Sequence, residues 1–116
     1  MPLAVTSGTQ AATLTTEHTL VSSDTTFATI ILAVDTSAMV YGDASNAHDE
    51  LELRIKMKVL TGGSELLVFL ATYVGAQTEP VKVSIPVTSP YSYSVTLKQT
   101  TGAAGRSFPW HVVEIT

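Results

Sequence analysis

Apolar and charged residues alternate without a break from Leu51 to Val59. Apolar side chains occupy every odd position of this stretch, and Glu52, Arg54, Lys56 and Lys58 occupy the even ones. A period of two places each set on its own face of a β-strand, whereas a helix would scatter both sets around its axis. The pattern therefore predicts a strand with one apolar face and one charged face.

A second strand is predicted to return beside the first one. Residues 60–64 include Gly62 and Gly63, which suit a tight reversal, and residues 65–74 are apolar at nearly every position. Pairing that is symmetric about Gly62 puts Ile55 beside Phe69 on a core face. The other expected pairs are Met57–Leu67, Leu53–Ala71 and Leu51–Tyr73 on that face, and Lys58–Leu66, Lys56–Val68 and Arg54–Leu70 on the outer face.

The outer face of this hairpin is half basic and half aliphatic, which permits two interpretations. The lysine and arginine stems could lie over their aliphatic neighbours while the charges reach water. Alternatively, another sheet or another chain covers this face. The second interpretation defines a set of candidate interface residues, with two members from later in the chain: Arg54, Lys56, Lys58, Leu66, Val68, Leu70, Arg106 and Trp110.

The remaining chain reads as further short strands. Residues 17–21, 25–34, 81–85, 91–97 and 110–115 are rich in β-branched and aromatic residues, and turn signals separate them. No helical period exceeds one turn. We therefore predict an all-β protein, a single-domain antiparallel β-sandwich of seven or eight strands, with the jelly roll as its expected form. Residues 1–16 are predicted to be a flexible N-terminal arm or an edge strand laid on a neighbour, and residues 17–116 the sandwich domain.

Composition supports this fold and suggests an assembly. The 116 residues suffice for one domain, and threonine and serine supply 29 of them. Threonine is β-branched and suits half-exposed strands. Charged residues make up 14% of the chain, against about a quarter in typical soluble domains. A surface poor in charge fits a protein that is held among neighbours better than a free monomer.

Charge and cysteine content exclude several classes of function. The net charge is −4, and the only basic cluster is Arg54, Lys56 and Lys58, which argues against a nucleic-acid partner. The chain has no cysteine, so it forms no disulfide and no thiolate metal site. No apolar run approaches eighteen residues, which excludes a transmembrane helix, and the first residues lack the features of a signal peptide. We expect no cofactor and no membrane partner.

A polar loop contains the best candidates for a metal site. Carboxylate and amide oxygens at close spacing are ligands that Ca²⁺ accepts. The same residues are also ordinary turn formers, and no defined ligand spacing is present, so we favour a solvated loop without metal. The candidates are Asp43, Ser45, Asn46, Asp49 and Glu50.

No catalytic constellation is evident. His18, His48 and His111 are scattered, without the paired spacing that zinc sites use, and no serine lies in a Gly-x-Ser-x-Gly elbow. Trp110, with Tyr73, Tyr91 and Tyr93, could stack on a sugar. Because Trp110 begins a strand directly after Phe108 and Pro109, we favour a core or interface plug. Arg106 follows Gly105 in a turn, where it is either solvated or paired with a neighbour's carboxylate.

Residues 95–115 resemble the ending of small virion proteins of tailed bacteriophages. Leu97-Lys-Gln-Thr100 leads through a glycine-rich turn into Arg106-Ser-Phe-Pro-Trp110 and a final strand. Residues 12–20 and 52–59 are also similar. The resemblance implies a non-enzymatic structural protein of the virion, with no catalytic residues to carry over.

Within that group, the short chain and low charge favour a capsid decoration (cement) protein, which stabilises the head through contacts between subunits. The implied partners are further copies of the chain, with a trimer favoured, and the major capsid protein or other virion proteins. The implied location is the virion, after synthesis in the host cytoplasm. Two alternatives stay open, a component of the tail or of a head fibre, and a carbohydrate-binding or receptor-binding sandwich.

Overall fold

Every regular element in the described part of the chain is a β-strand. The computed structural model describes residues 3–116, with Ser23 described by its backbone alone. The strands are β1 (Leu3–Ala11), β2 (Glu17–Asp24), β3 (Ala28–Asp35), β4 (Glu50–Met57), β5 (Leu66–Val74), β6 (Val81–Val83), β7 (Val87–Ser89), β8 (Tyr93–Thr101) and β9 (Ser107–Ile115).

The strands form two antiparallel sheets. Sheet A has the order β1-β9-β3-β6, and β7 also pairs with β3, while sheet B has the order β2-β8-β4-β5. The prediction of an all-β antiparallel sandwich is confirmed. The strand count is nine among residues 3–116, because the segment between Pro86 and Pro90 forms a short strand, β7, that was not predicted. This strand pairs with the first half of β3, beside β6 on the second half.

The core lies between the sheets and is built from alternate residues of the central strands. Leu51, Leu53 and Ile55 of β4 are at most 2% exposed, as the period of two predicts. They face a layer of sheet A that includes Leu32 and Phe108, both fully buried. Burying such side chains contributes roughly 1.5–3 kcal/mol each, so this layer is the main source of stability.

The hairpin register is the predicted one along the second part of β5 but not near the turn. Ile55 lies opposite Phe69, and the predicted pairs from there to Leu51–Tyr73, including Arg54–Leu70, are all present. A β-bulge then shifts the register, so that Lys56 lies opposite Leu67 and Val68 is the extra residue. The predicted pairs Met57–Leu67, Lys56–Val68 and Lys58–Leu66 are therefore wrong. Residues 58–65 connect the strands, and the predicted tight turn lies within them, where the Gly63 amide donates to the Leu60 carbonyl at 3.0 Å.

Residues 3–11 are the edge strand of sheet A. All nine residues of β1 pair with β9 of the same chain, from Leu3 opposite Ile115 to Ala11 opposite Ser107. The expected edge strand is therefore laid on its own chain, not on a neighbour, because β9 offers a complete free ladder beside β3. Residues 1 and 2 of the predicted arm lie outside the described residues.

Candidate interaction surfaces

The exposed hairpin strand carries a continuous aliphatic surface. We define the hairpin surface as the exposed side chains on the outer side of β5, which are Leu67, Val68, Leu70 and Val74. Leu70 is 51% exposed and Val74 50%. Leu66 is exposed as well, but it lies opposite Met57 on the core side of the sheet, at its end. Sheet A packs against the opposite face of sheet B, so the interpretation that the protein's own second sheet covers this surface is wrong. Apolar side chains in such a contiguous set typically mark a site of contact with another protein.

The basic residues of β4 are neutralised within their own sheet. Arg54 donates to Glu52 at 2.6 Å, and its other terminal nitrogen lies 3.7 Å from Glu17. The Lys56 ammonium lies 3.0 Å from the same Glu17 carboxylate. Two of the three predicted basic contacts are thus satisfied internally. Lys58 is half-buried, and its backbone amide donates to the carbonyl of Ser92.

Glu17 was not singled out from the sequence, yet it holds this charged row together. The hydroxyl of Thr96 donates to it at 2.6 Å. This hydrogen bond, with those from Lys56 and the charge of Arg54, lowers the pKa of Glu17 despite partial burial. The alternation in β4 indicates a charged face, but only the pairing of β2 with β8 brings Glu17 to that face.

We expect the free energy of unfolding of the Glu17→Gln variant to fall less than that of the wild type as the pH is lowered. A carboxyl whose pKa is lowered by folding stabilises the fold above its unfolded pKa of about 4.3, and this contribution disappears as the pH falls through the folded pKa. Urea unfolding of both proteins from neutral pH to about pH 3 measures the difference, since other carboxylates contribute equally to both. Parallel curves for the two proteins would contradict the assignment.

A second aliphatic surface covers the outside of sheet A. The registers of β1, β9, β3 and β6 bring side chains to one outer face in neighbouring rows. We define the sheet A surface as Leu3, Val5, Ile31, Val81, Val83, Val113 and Ile115. Leu3 is 67% exposed, Val5 64% and Val83 60%. The sequence does not predict this surface as a whole, because only the strand order gathers these short apolar segments.

Trp110 borders a shallow groove at one end of sheet A. It lies on β9, is half-buried and packs partly against the core. Gly8 of β1 lies opposite Trp110 in the sheet, and a Cβ atom added to it would lie 3.4 Å from the indole ring. The ring therefore lies against Gly8. The groove has a volume of about 250 Å³, and Asp35 and His111 also line it. Trp110 is therefore neither a fully buried plug nor a fully exposed platform.

The tyrosines do not join Trp110 on one face. Tyr93 is 1% exposed, and its hydroxyl donates to Glu114 at 2.8 Å between the two sheets. Burial and this hydrogen bond raise the pKa of Tyr93 well above its usual range. The Lys82 ammonium lies over the Tyr73 ring, 5.1 Å from its centre. The platform of four aromatic residues is therefore not formed.

Arg106 belongs to a buried hydrogen-bond network and not to an exposed turn. Its Nε donates to Asp49 Oδ2 at 2.9 Å, and Asp49 is fully buried. The side-chain oxygen of Gln99 accepts a hydrogen bond from the Arg106 amide at 2.8 Å, and its nitrogen donates to Ala104. The expectation of a solvated side chain is wrong, because Arg106 pairs with Asp49 of its own chain, while a contact with a neighbour's carboxylate stays a prediction. The turn after β8 folds back onto the residues just before β4, which supply Asp49.

The candidate calcium loop does not gather its oxygens around one point. Asp43 Oδ1 accepts the amides of Ser45 and Asn46 at 2.8 and 2.9 Å, an ordinary Asx turn. Those hydrogen bonds lower the pKa of Asp43. Asp49 points away from this turn to Arg106. Within residues 3–116, no three histidine or acidic side chains are placed to hold a metal ion.

The histidines are separate from one another. His18 Nε2 accepts the amide of Thr13 at 3.0 Å, and His48 Nδ1 accepts the amide of Gly42 at 2.7 Å. His111 lines the groove beside Trp110. Two of the three thus serve local backbone groups, and the structure does not bring the three together.

Comparisons with known proteins leave the surfaces as the main guide to function. No protein-family model matches the chain, and comparison with curated proteins gave no match. No helix of the described residues has the length and apolar character needed to cross a membrane. The resemblance of residues 95–115 to bacteriophage virion proteins stays a prediction.

Proposed function

We propose that this chain is a structural protein of a bacteriophage virion, a capsid decoration protein that joins neighbours through two apolar surfaces. The observation that carries the proposal is the position of these surfaces. The sheet A surface and the hairpin surface lie on the outsides of different sheets, hence on opposite faces of the sandwich. The outer face of sheet A is aliphatic across four strands, and the outer face of sheet B carries an aliphatic strip along β5 beside the charged row of β4. Each broad face therefore offers an apolar contact to a neighbour, as a cement protein requires.

The shape of the molecule supports this role. Its extents are 49 × 28 × 19 Å, and the shortest one is that of two stacked sheets. Each broad face is long enough for contacts of standard size, which bury about 800 Å² per partner. A sandwich of two packed sheets is stiff, so the chain loses little conformational entropy when either face binds a partner.

The strand pairing supports the jelly roll, which is the form of β-sandwich that the sequence predicts. If β6 and β7 count as one interrupted strand, eight strands pair first with last, second with seventh, third with sixth and fourth with fifth. Wrapping one long hairpin of this kind into two sheets gives the jelly roll. Capsid proteins and lectins both use this fold, so it favours the virion role and its alternative alike.

We assign the sheet A surface to the capsid shell. It spans four strands, its seven side chains are all aliphatic with Asp35 at one border opposite Val81, and it suits the packing of a sheet against another apolar layer. We assign the hairpin surface to contacts with other copies of the chain or with accessory proteins.

The proposal is tested with capsids stripped of accessory proteins. The purified protein should bind the shells and raise the temperature at which they break. Val5→Lys places a charge on the 64% exposed position of the sheet A surface and should weaken shell binding about ten-fold or more. Thr78→Lys adds the same charge in an exposed loop outside both surfaces and should bind like the wild type. A wild-type protein that does not bind shells would contradict the decoration role. Binding to tails or head fibres would support the alternative of a tail or head-fibre component.

The groove beside Trp110 favours one different function, carbohydrate or receptor binding. An indole and the carboxylate of Asp35 along an apolar groove offer a stacking face and a hydrogen-bond acceptor for a sugar. In that case the wild type binds on a glycan array and Trp110→Ala does not. Absence of binding by the wild type would remove this alternative.

A further inference from the structure

The free edge of β5 lacks the usual devices against strand pairing. β5 is the last strand of sheet B, so one side of its backbone has no partner strand in the described chain. Its sequence, Leu66-Leu-Val-Phe-Leu-Ala-Thr-Tyr-Val74, contains neither a charged residue nor a proline. Native proteins usually protect a long apolar edge with lysine, proline or a covering loop. An unprotected edge of this kind indicates a partner.

The other edges of the two sheets are weaker candidates. β2 carries Glu17 and Asp24, and β6 has three residues, with Pro80 and Pro86 close to its ends. β1 is uncharged, but its middle consists of small and polar residues around Gly8. Large apolar side chains beside a free backbone edge are therefore concentrated at β5.

We propose that β5 pairs with β5 of a second copy of this chain, antiparallel, about a two-fold axis at Thr72. This inference rests on the proposed function, since it assigns the partner of the hairpin surface. The pairing joins the two copies of sheet B into one continuous sheet of eight strands. Such a contact is isologous, and it therefore gives a dimer.

The direction of the backbone groups fixes which residues can pair. The Gly75 amide donates to the Asp49 carbonyl at 2.7 Å, so odd-numbered residues of β5 direct their hydrogen bonds towards β4. On the other side of β4, the Lys58 amide donates to the Ser92 carbonyl, as this alternation requires. Leu70, Thr72 and Val74 thus point their amides and carbonyls to the free edge. The Val74 carbonyl accepts the Gln77 side chain there at 3.0 Å, a hydrogen bond that the Leu70 amide of the second copy would replace.

The bulge sets the limit of the pairing. Val68 is the extra residue opposite β4, so the ladder is regular only from Phe69 to Val74. A two-fold axis at Thr72 uses this regular part alone. An axis at Ala71 would instead place the irregular Val68 opposite Val74.

The side chains of the regular part are self-complementary around Thr72. On the outer face, the axis pairs Thr72 with its own copy and Leu70 with Val74, and Thr–Thr and aliphatic pairs are favourable across strands. On the inner face it places the large Tyr73 opposite the small Ala71. No charge lies opposite another charge at the seam, because β5 has none.

The first test is the native mass of the purified protein alone. We expect a concentration-dependent dimer by light scattering. Leu70→Lys puts two charges beside the axis and should raise the dimer dissociation constant about a hundred-fold, while the 51% exposure of Leu70 lets the variant fold. Val5→Lys, the same change on the other uncharged edge, should leave the dimer intact. A strict monomer at the highest soluble concentration, or a dimer lost with Val5→Lys but not with Leu70→Lys, would overturn the proposal.

A cross-link tests the register without relying on a disruptive variant. The chain has no cysteine, so Thr72→Cys introduces a single thiol. Facing residues of a hydrogen-bonded antiparallel pair have Cα atoms about 5.5 Å apart, within the range for a disulfide. Mild oxidation should link the Thr72→Cys dimer rapidly and the matched Thr9→Cys protein on β1 slowly. Equal rates for the two variants would refute the axis at Thr72.

The two proposals fail separately. A monomer that binds shells would refute the β5 seam and leave the decoration role in place. A β5 dimer that does not bind shells would support the β5 seam and refute the decoration role. A trimer, the state expected from the resemblance, would refute the seam because a two-fold contact cannot close a ring of three.

Discussion

Asp49→Ala is expected to lower the free energy of unfolding by about 3 kcal/mol. The Asp49 carboxylate is fully buried, and it accepts the Arg106 side chain and the Val40 amide, each at 2.9 Å. Alanine would leave the partly buried Val40 amide without its acceptor and Arg106 without its counter-charge. Because Arg106 is 28% exposed, its charge can still reach water, which keeps the loss at the lower end for broken buried pairs. Urea denaturation measures the change.

Two controls make this result specific. Asp49→Asn keeps one acceptor oxygen and should lose less stability than the alanine variant. Asp43→Ala removes a carboxylate from the exposed Asx turn of the same loop and should have a smaller effect still. If Asp49→Ala and Asp43→Ala had equal stability, the network around Arg106 would not stabilise the fold as described.

Gly105→Ala is expected to cost about 3 kcal/mol as well, for a steric reason. A Cβ atom at Gly105 would lie 1.9 Å from the carbonyl oxygen of Ala12, so one of the two backbones must move. That movement breaks the hydrogen bond from the Ala12 amide to the Arg106 carbonyl, now 2.8 Å long. Thermal unfolding should show a lower melting temperature.

Gly62→Ala is the matched control for this substitution. Gly62 lies in the hairpin loop, and a Cβ atom there would meet no atom within 4 Å. Its stability should stay within about 0.5 kcal/mol of the wild type. A comparable loss in both variants would mean that backbone freedom, and not the close approach to Ala12, explains the result.

The local part of the fold is predictable from the sequence because it depends on period. The alternation from Leu51 to Val59 fixes which side chains of β4 are buried, and the hairpin register follows for as long as both strands stay regular. The bulge at Val68 is invisible in this pattern, since an apolar residue stands at every nearby position of β5. One extra residue then changes the partners of Lys56 and Met57.

The parts that could not be predicted depend on contacts between distant segments. Arg106 and Asp49 meet only because the turn after β8 folds back onto the residues just before β4. Glu17 reaches Lys56 only because β8 lies between β2 and β4. The sheet A surface likewise combines residues from both ends of the chain. Single-sequence patterns report neighbours in the chain, and these sites are neighbours in space.

The strand order also has a consequence for how the protein is made. β8 and β9 are synthesised after the seven other strands of the sandwich, yet each lies inside its sheet between two neighbours. Within the described chain, β1 pairs with β9 and β2 with β8, so neither early strand has a place to bind until residues 93–115 have left the ribosome. The sandwich can therefore close only after these residues have been made, and such non-local pairing is slow. During that delay the unpaired strands are the species most exposed to aggregation or to chaperones.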